Sequence, residues 1–165
     1  MRYIEIAART WPLRFTARAI LRTQQITNVP FRENFTRGEE GARTLLYCAL
    51  CDAFPAMTRR KANALFDALL PDVAPLYDLL ARAYDDSGFP REGITQQQFD
   101  RLLSAAARAG MQDTARLYDL SYREIIREAD AFLARAGAVT SAPMTDQQML
   151  STLKIFARRS DHANP

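Results

Sequence analysis

The spacing of hydrophobic positions changes at Thr16, and this change divides the chain into a short N-terminal segment and a long one. Before Thr16, apolar and polar side chains alternate over residues 3–6 and again over residues 11–15. Alternation of this kind, in stretches rich in β-branched and aromatic residues, is typical of strands with one apolar face. With residues 7–10 as a turn, the pattern predicts a two-stranded hairpin. Pro12 should lie on an edge strand, because proline has no N–H to donate.

After Thr16, apolar side chains recur every three or four residues, which predicts helices separated by Gly, Pro and polar breaks. Thr16 and Thr58 are expected to cap two of these helices. Capping boxes, Thr-x-x-Gln or Ser-x-x-Glu, open three more at Thr95, Ser121 and Thr145. The predicted helices span residues 17–26, 38–52, 59–70, 71–86, 96–109, 114–118 and 122–133, with a last one from residue 146 and a loop over residues 28–37.

These elements predict a mainly α fold, in which an N-terminal β-hairpin packs on a multi-helix bundle and a helical C-terminal lobe follows. A lone hairpin is marginally stable in water, so its aromatic residues must pack on the helices or on a partner. Residues 87–93 (Ser-Gly-Phe-Pro-Arg-Glu-Gly) form the best internal boundary. We therefore expect a hairpin-plus-helices domain over residues 1–87, a C-terminal lobe or extension over 94–159 and a loose tail over 160–165.

Composition favours a soluble protein with a hydrophobic core. Hydrophobic residues make up 48% of the 165 residues, which is enough for one compact domain. No apolar run approaches the roughly 20 residues that a membrane span requires. The first residues lack a long apolar stretch behind a basic start, so no signal peptide is expected and the cytoplasm is the expected location.

Charge is distributed unevenly along the chain. Residues 1–61 carry 11 basic and 5 acidic side chains, a net charge of +6, whereas residues 62–165 carry 11 and 14, a net charge of −3. A basic N-terminal half suits nucleic acid or an acidic protein partner, and solvated arginine side chains explain it equally well. Only Lys61 and Lys154 are lysines, a bias that is typical of a GC-rich genome.

No set of side chains for catalysis, metal binding or cofactor binding stands out. Cys48 and Cys51 form a C-x-x-C pair, but both lie inside a predicted helix, which favours two small buried residues over a redox site. His162 is the single histidine, so neither a catalytic triad nor a four-ligand zinc site can be assembled from familiar parts. The chain also lacks the glycine motifs of nucleotide-binding proteins. We expect no catalytic, cofactor-binding or metal-binding residues and no enzymatic activity.

Residues 114–126 faintly resemble a helix-turn-helix motif. Ala115 supplies the small residue that the first helix of the motif needs, but Asp119 stands where the turn usually has glycine. The candidate reading helix carries Arg123 and Arg127 beside acidic residues, and the second half of the chain is net acidic, which opposes approach to phosphates. A DNA-binding regulator is the weaker alternative that this stretch supports.

Residues 3–70 resemble the tail assembly chaperones of long-tailed, siphovirus-type bacteriophages in the order and spacing of their motifs. That family opens with a short β-hairpin ending in L-[RKE]-F, followed by a helix, a loop, a helix rich in Leu and Tyr, and a turn marked by Pro. The corresponding segments here are Tyr3-Ile4-Glu5-Ile6, Trp11-Pro12-Leu13-Arg14-Phe15-Thr16, Ala19-Ile20-Leu21, Leu45-Leu46-Tyr47-Cys48-Ala49-Leu50 and Phe54-Pro55-Ala56-Met57-Thr58. The family favours an acidic residue near the end of its first helix, where this chain has Thr23-Gln24-Gln25.

The resemblance implies a role in virion assembly. Such chaperones bind the tape measure protein, shield its apolar stripe before the tail tube polymerises, and help to recruit the tail tube protein. They act in the host cell cytoplasm and are absent from the mature virion. Many exist in two lengths, so residues 94–159 are either a frameshift-type extension or an ordinary second helical lobe.

The partner-binding surface is expected on the hairpin, the first helix and the loop after it. Grooves between helices, beside an aromatic hairpin, suit an amphipathic helix. The alternative for the aromatic residues is that they complete the core, and this is favoured for Phe15. A homo-oligomer is also compatible with a hairpin that has no further strand to pair with, and another helical adaptor, such as a head–tail connector or a toxin-neutralising partner, is the main alternative function. The expected partner-binding residues are Trp11, Arg14, Phe15, Arg18, Arg22, Phe31 and Phe35.

Overall fold

The computed structural model describes residues 2–70 and 72–135, which form a two-stranded hairpin followed by helices. Two short 3₁₀ helices, Phe31–Phe35 and Ala115–Asp119, interrupt the series of α-helices. The regular elements in chain order are β1 (Arg2–Ile6), β2 (Arg9–Leu13), α1 (Ala17–Thr27), α2 (Gly38–Cys51), α3 (Arg59–Asp67), α4 (Ala74–Ser87), α5 (Gln96–Arg108) and α6 (Tyr122–Arg135). The predicted fold class, mainly α with an N-terminal hairpin, is confirmed.

The hairpin closes through a two-residue turn at Ala7 and Ala8. Both residues have positive φ angles, 52° and 58°, as the type I′ turn that matches the twist of antiparallel strands requires. The register pairs Ile6 with Arg9, and the buried side chains of the hairpin face the helices. β1 contacts α4 and β2 contacts α2, so the hairpin is packed on the bundle.

Side-chain caps begin the helices where the sequence predicts them. The Thr16 hydroxyl accepts a hydrogen bond from the N–H of Ala19, and the Thr58 hydroxyl accepts one from the N–H of Lys61. Thr95 and Gln98 form a complete capping box at α5. At the start of α6, the backbone N–H and hydroxyl of Ser121 both donate to Glu124. These four predicted helix starts are confirmed.

The predicted boundary between the third and fourth α-helices is wrong by three residues on each side. α3 ends at Asp67, because the N–H groups of Leu69 and Leu70 bond to carbonyls three residues back, and this tighter winding ends the helix. α4 begins at Ala74 with Pro75 in its first turn, where a missing N–H costs nothing. The sequence predicts that first-turn role for Pro71, which lies outside the described residues.

The segment predicted to be a loop over residues 28–37 contains a 3₁₀ helix, Phe31–Phe35. A five-residue helix is too short to show a hydrophobic period, which explains the wrong prediction. The side-chain amide of Asn34 donates to the Phe31 carbonyl and satisfies a terminal acceptor. The short helix predicted over residues 114–118 is also 3₁₀, and its Arg116 N–H donates to the Asp113 carboxylate.

Residues from both sides of the segment 87–93 contribute to one continuous core. The N–H of Ala17 donates to the carbonyl of Leu120, and the ring of Phe89 lies 5.4 Å from that of Tyr122. The division into residues 1–87 and 94–159 stays a prediction. Small residues predict a linker over residues 137–143, and this segment lies outside the described residues. The predicted helix from residue 146 and the tail 160–165 also lie outside them. Within the described ranges, no helix is both long enough and apolar enough to cross a membrane.

Candidate protein-binding surface

A polar pocket of about 350 Å³ lies between α1, the C-terminal end of α2 and the second 3₁₀ helix. We name it the arginine pocket. Two of the residues predicted to bind a partner, Arg18 and Arg22, line it from one face of α1, because residues four apart on a helix are neighbours. The full lining is Arg18, Arg22, Tyr47, Cys51, Asp52, Pro55, Met57 and Asp119.

Arg18 is held in place by the second 3₁₀ helix. Its Nε lies 2.6 Å from Oδ1 of Asp119, and its guanidinium lies 5.7 Å from the centre of the Tyr118 ring. The hydrogen bond from Arg18 to Asp119 raises the pKa of Arg18 above its usual value. Because both side chains of the pair are about half exposed, the pair orients Arg18 and contributes little to stability.

Arg22 has neither a hydrogen bond nor an ion pair with any other described residue, although its side chain is partly buried. Its positive charge lowers the pKa of Asp52, against the larger effect of burial, and so it lies within electrostatic range of that carboxylate. A guanidinium has five N–H donors. Arg22 therefore offers unused donors at the wall of the arginine pocket.

Asp52 is one of the two acidic residues that line the arginine pocket. Its carboxylate accepts a hydrogen bond from the hydroxyl of Thr16, the N-cap of α1. Burial raises the pKa of Asp52 above 3.8, and the Thr16 hydrogen bond and the charge of Arg22 only partly offset this. The pocket thus contains a carboxylate that is easier to protonate in the folded chain than in the unfolded chain.

Replacing Asp52 with asparagine is expected to raise the free energy of unfolding at pH 7. The folded pKa lies above the unfolded value, so the native state binds the proton more tightly, and wild-type stability falls as pH rises from 3.8 through the folded pKa. Asparagine keeps an acceptor for Thr16 and removes this effect. Urea unfolding of both proteins over a pH series measures it: the advantage of Asp52→Asn should shrink as pH falls through the folded pKa towards 3.8 and should be lost below that pH. An advantage that does not vary with pH would contradict the assignment.

Trp11 extends the surface beyond the arginine pocket. Its ring packs edge-on against Phe54 at 5.1 Å between centres, and the guanidinium of Arg9 lies 4.6 Å above it. Trp11 is partly buried, and its Nε1 has no hydrogen-bond partner among the described residues. Phe54 directly precedes Pro55 of the pocket lining, so the aromatic pair and the pocket are adjacent along the chain.

Arg14 joins the same side of the molecule to α6. Its guanidinium lies 2.5 Å from Oε2 of Glu124, the residue that also caps α6. Burial acts to raise the pKa of Glu124, but hydrogen bonds from Ser121 and Arg14 outweigh it and hold the pKa below its usual value. Arg14 also lowers the pKa of Asp52. This arginine is therefore already paired, unlike Arg22.

The three predicted phenylalanines lie elsewhere. Phe15 and Phe31 are fully buried, with ring centres 5.3 Å apart, so neither can contact a partner in this fold. For these two residues the alternative interpretation, that they complete the core, is confirmed. Phe35 is partly buried and lines a separate pocket of about 290 Å³, together with Arg32, Thr36, Ala81, Tyr84 and Asp85.

Four of the seven predicted residues, Trp11, Arg14, Arg18 and Arg22, therefore remain on one side of the molecule. Sequence reasoning missed the acidic half of this surface. Asp52 and Asp119 are separated by 66 intervening residues, and no local pattern connects them. The only available signal was that Asp119 interrupts the helix-turn-helix resemblance, which does not indicate a pocket.

The two cysteines do not form a reactive pair. Cys48 is buried, and burial raises its pKa to about 12, so its thiolate is disfavoured at neutral pH. Cys51 is a free thiol that lines the arginine pocket. Among residues 2–70 and 72–135, no cluster of three or more His, Cys, Asp or Glu side chains is arranged to hold a metal ion.

The stretch that resembles a helix-turn-helix has a different geometry. Its first helix is the five-residue 3₁₀ helix Ala115–Asp119, and Ala115 is exposed, whereas the small residue of the motif packs inside. Arg116 pairs with Glu128 at 3.3 Å. Glu128 directly follows Arg127 on α6. Negative charge therefore lies within the helix that would have to approach the DNA phosphates.

Comparison with known proteins adds no relative to this picture. Scans against protein-family models, curated proteins and solved structures each gave no match to the chain.

Proposed function

We propose that this chain is a tail assembly chaperone that binds the tape measure protein and assists polymerisation of the tail tube. The resemblance of residues 3–70 to that family supports the proposal. One structural observation supports it most: Arg22, partly buried and without an ion pair among the described residues, stands at a pocket flanked by apolar side chains. The chain would act in the host cell cytoplasm, before the virion is complete.

The proposed contact combines a charged anchor with an apolar strip. An acidic side chain on the tape measure helix would pair with Arg22, and apolar side chains on the same face would lie along the partly buried Trp11 and Phe54. Arginine is suited to such an anchor because its planar guanidinium can bind a carboxylate through two hydrogen bonds. Aromatic and arginine side chains also carry much of the binding energy in known interfaces.

A chaperone of this kind must also release its partner. A coat of many copies along a long helix can use weak individual contacts, because repeated binding raises the overall avidity. A polar pocket in which Arg22, alone of the two lining arginines, has no ion pair with a described residue suits weak contacts better than a large apolar cleft would. As tail tube subunits arrive, they can displace copies one at a time. Pairing between the hairpins of neighbouring copies would assist such a coat.

Replacing Arg22 with glutamine is expected to weaken binding to a segment of the tape measure protein about tenfold, equivalent to about 1.4 kcal/mol. The change removes the charge and keeps most of the side-chain length. Isothermal titration calorimetry with the full chain gives the dissociation constant of each variant. Thermal unfolding of the free variants checks that the fold is intact.

Arg101→Gln is the matched control, because Arg101 is exposed on α5 and makes no hydrogen bond or ion pair with the described residues. Its dissociation constant should equal that of the wild type. If both variants lose the same affinity for the segment, the effect is one of general charge. If the affinity of Arg22→Gln is unchanged, the arginine pocket is not part of the interface. A wild-type chain that does not bind the tape measure protein at all would refute the function.

A further inference from the structure

A second concave surface lies near the C-terminal end of the described residues. It is a groove of about 480 Å³ between the loop after α5, the second 3₁₀ helix and α6. Its floor is apolar, formed by Met111, Leu117, Leu120 and Phe132. Leu117 is buried, and the other three are partly exposed to the groove. Polar residues at the rim are Gln112, Asp113, Arg116, Glu128 and Arg135.

The described part of the chain ends at this groove. Arg135 is the last described residue of α6 and one of the residues that line the groove. Residues 136–144 follow, rich in small side chains, and then a stretch with apolar positions at helical spacing. Those positions are Met149, Leu150, Leu153 and Phe156. The apolar stripe and the apolar groove are therefore close along the chain.

We propose that residues 145–156 form a helix that docks its apolar stripe into this groove of the same chain. The tether is long enough: nine residues can span up to about 30 Å, and a helix of this length is only about 18 Å long. The inference does not depend on the tail chaperone function, because it concerns only this chain.

A tethered segment has a large advantage over any free competitor. A short flexible linker gives an effective concentration in the millimolar range. A groove with a dissociation constant of only about 0.1 mM for this segment would then be about 90% occupied by it. A second copy of the chain, present at micromolar concentration, could not compete at that affinity. The tether therefore favours docking within one molecule.

Hydrogen–deuterium exchange of the full chain tests the docking directly. An isolated helix of about 12 residues is marginal in water, so slow exchange over residues 145–156 requires a packed partner. We expect amide exchange over this segment to be at least about tenfold slower than the random-coil rate. This factor is the ratio of an effective concentration of about 1 mM to a dissociation constant of about 0.1 mM. The protection should be the same at low and at high protein concentration.

Matched variants in the segment identify the docking face without disturbing the described core. Leu153→Asp places a charge in the apolar stripe and should reduce exchange protection over residues 145–156 to the random-coil level. Ser151→Asp places the same charge on the opposite face of the predicted helix and should leave the protection in place. Phe132→Lys alters the groove floor and should have the same effect as Leu153→Asp.

Three results would overturn the proposal. The first is the absence of protection over residues 145–156 in the wild type. The second is protection only at high concentration, which would assign the groove to a second copy. The third is protection that survives Phe132→Lys in a chain that is still folded, which would place the helix elsewhere. If Phe132→Lys does not fold, Met111→Lys at the same groove replaces it in this comparison.

Discussion

Replacing Phe15 with alanine is expected to lower the free energy of unfolding by about 3–5 kcal/mol. The ring is fully buried, and its centre lies 5.3 Å from that of Phe31 and 6.0 Å from that of Tyr84. Truncation removes the transfer free energy of the ring and leaves a cavity that this aromatic cluster cannot readily fill. For a domain of this size, the loss corresponds to a fall in melting temperature of about 10 °C, measurable by calorimetry.

Tyr3→Ala is the control for an aromatic residue at the N-terminus, because Tyr3 is 57% exposed on β1. Tyr3→Ala should change the free energy of unfolding by no more than about 0.5 kcal/mol. A Phe15→Ala protein that keeps wild-type stability but loses partner binding would contradict the core assignment. It would return Phe15 to the contact surface that the sequence predicts for it.

Replacing Gly41 with alanine is expected to lower the free energy of unfolding by about 2–3 kcal/mol. Gly41 lies inside α2, where helix propensity alone predicts a gain of about 1 kcal/mol from alanine. A methyl group here would overlap the backbone carbonyl oxygen of Asn34 and lie 2.9 Å from its carbonyl carbon. Asn34 belongs to the 3₁₀ helix Phe31–Phe35, which the buried Phe31 side chain holds in the core. Because the Asn34 backbone cannot move away freely, the steric overlap outweighs the gain in helix propensity.

Gly38→Ala separates this steric effect from the general consequences of removing glycine. Gly38 has a φ of +58°, but a methyl group at its Cα would have no neighbouring atom within 4 Å, so alanine there costs only backbone strain of about 1–2 kcal/mol. Chemical denaturation of both variants should show the larger loss for Gly41→Ala. A stabilised Gly41→Ala protein would mean that α2 and the 3₁₀ helix are not packed as described.

Local signals in the sequence were sufficient to predict most of the fold. The hydroxyl caps at Thr16 and Thr58 and the capping box at Thr95 each depend on atoms within three residues, so a local pattern carries all the information. The 3₁₀ helix Phe31–Phe35 was missed because its packing against α2 and α1, and not a period in its own sequence, holds it. The glycine at position 41 is explained only by that same packing.

The candidate surface was predictable only in part, for the same reason. Arg18 and Arg22 share a helix face, and Trp11 precedes that helix closely, so their proximity follows from the sequence. Asp52 and Asp119 reach the pocket through contacts between α1, α2 and the second 3₁₀ helix, which depend on the tertiary fold. The burial of Phe15 and Phe31 likewise depends on Tyr84, far along the chain.

The central claim is that a helical partner binds at the arginine pocket beside Trp11. Methyl NMR of the methionine side chains tests it most directly, because Met57 lines the arginine pocket and Met111 lines the separate groove near α6. On adding a segment of the tape measure protein to the full chain, the Met57 methyl resonance should shift or broaden while that of Met111 stays unchanged. A Met57 resonance that does not respond to a segment that binds, or a response confined to Met111, would contradict the claim.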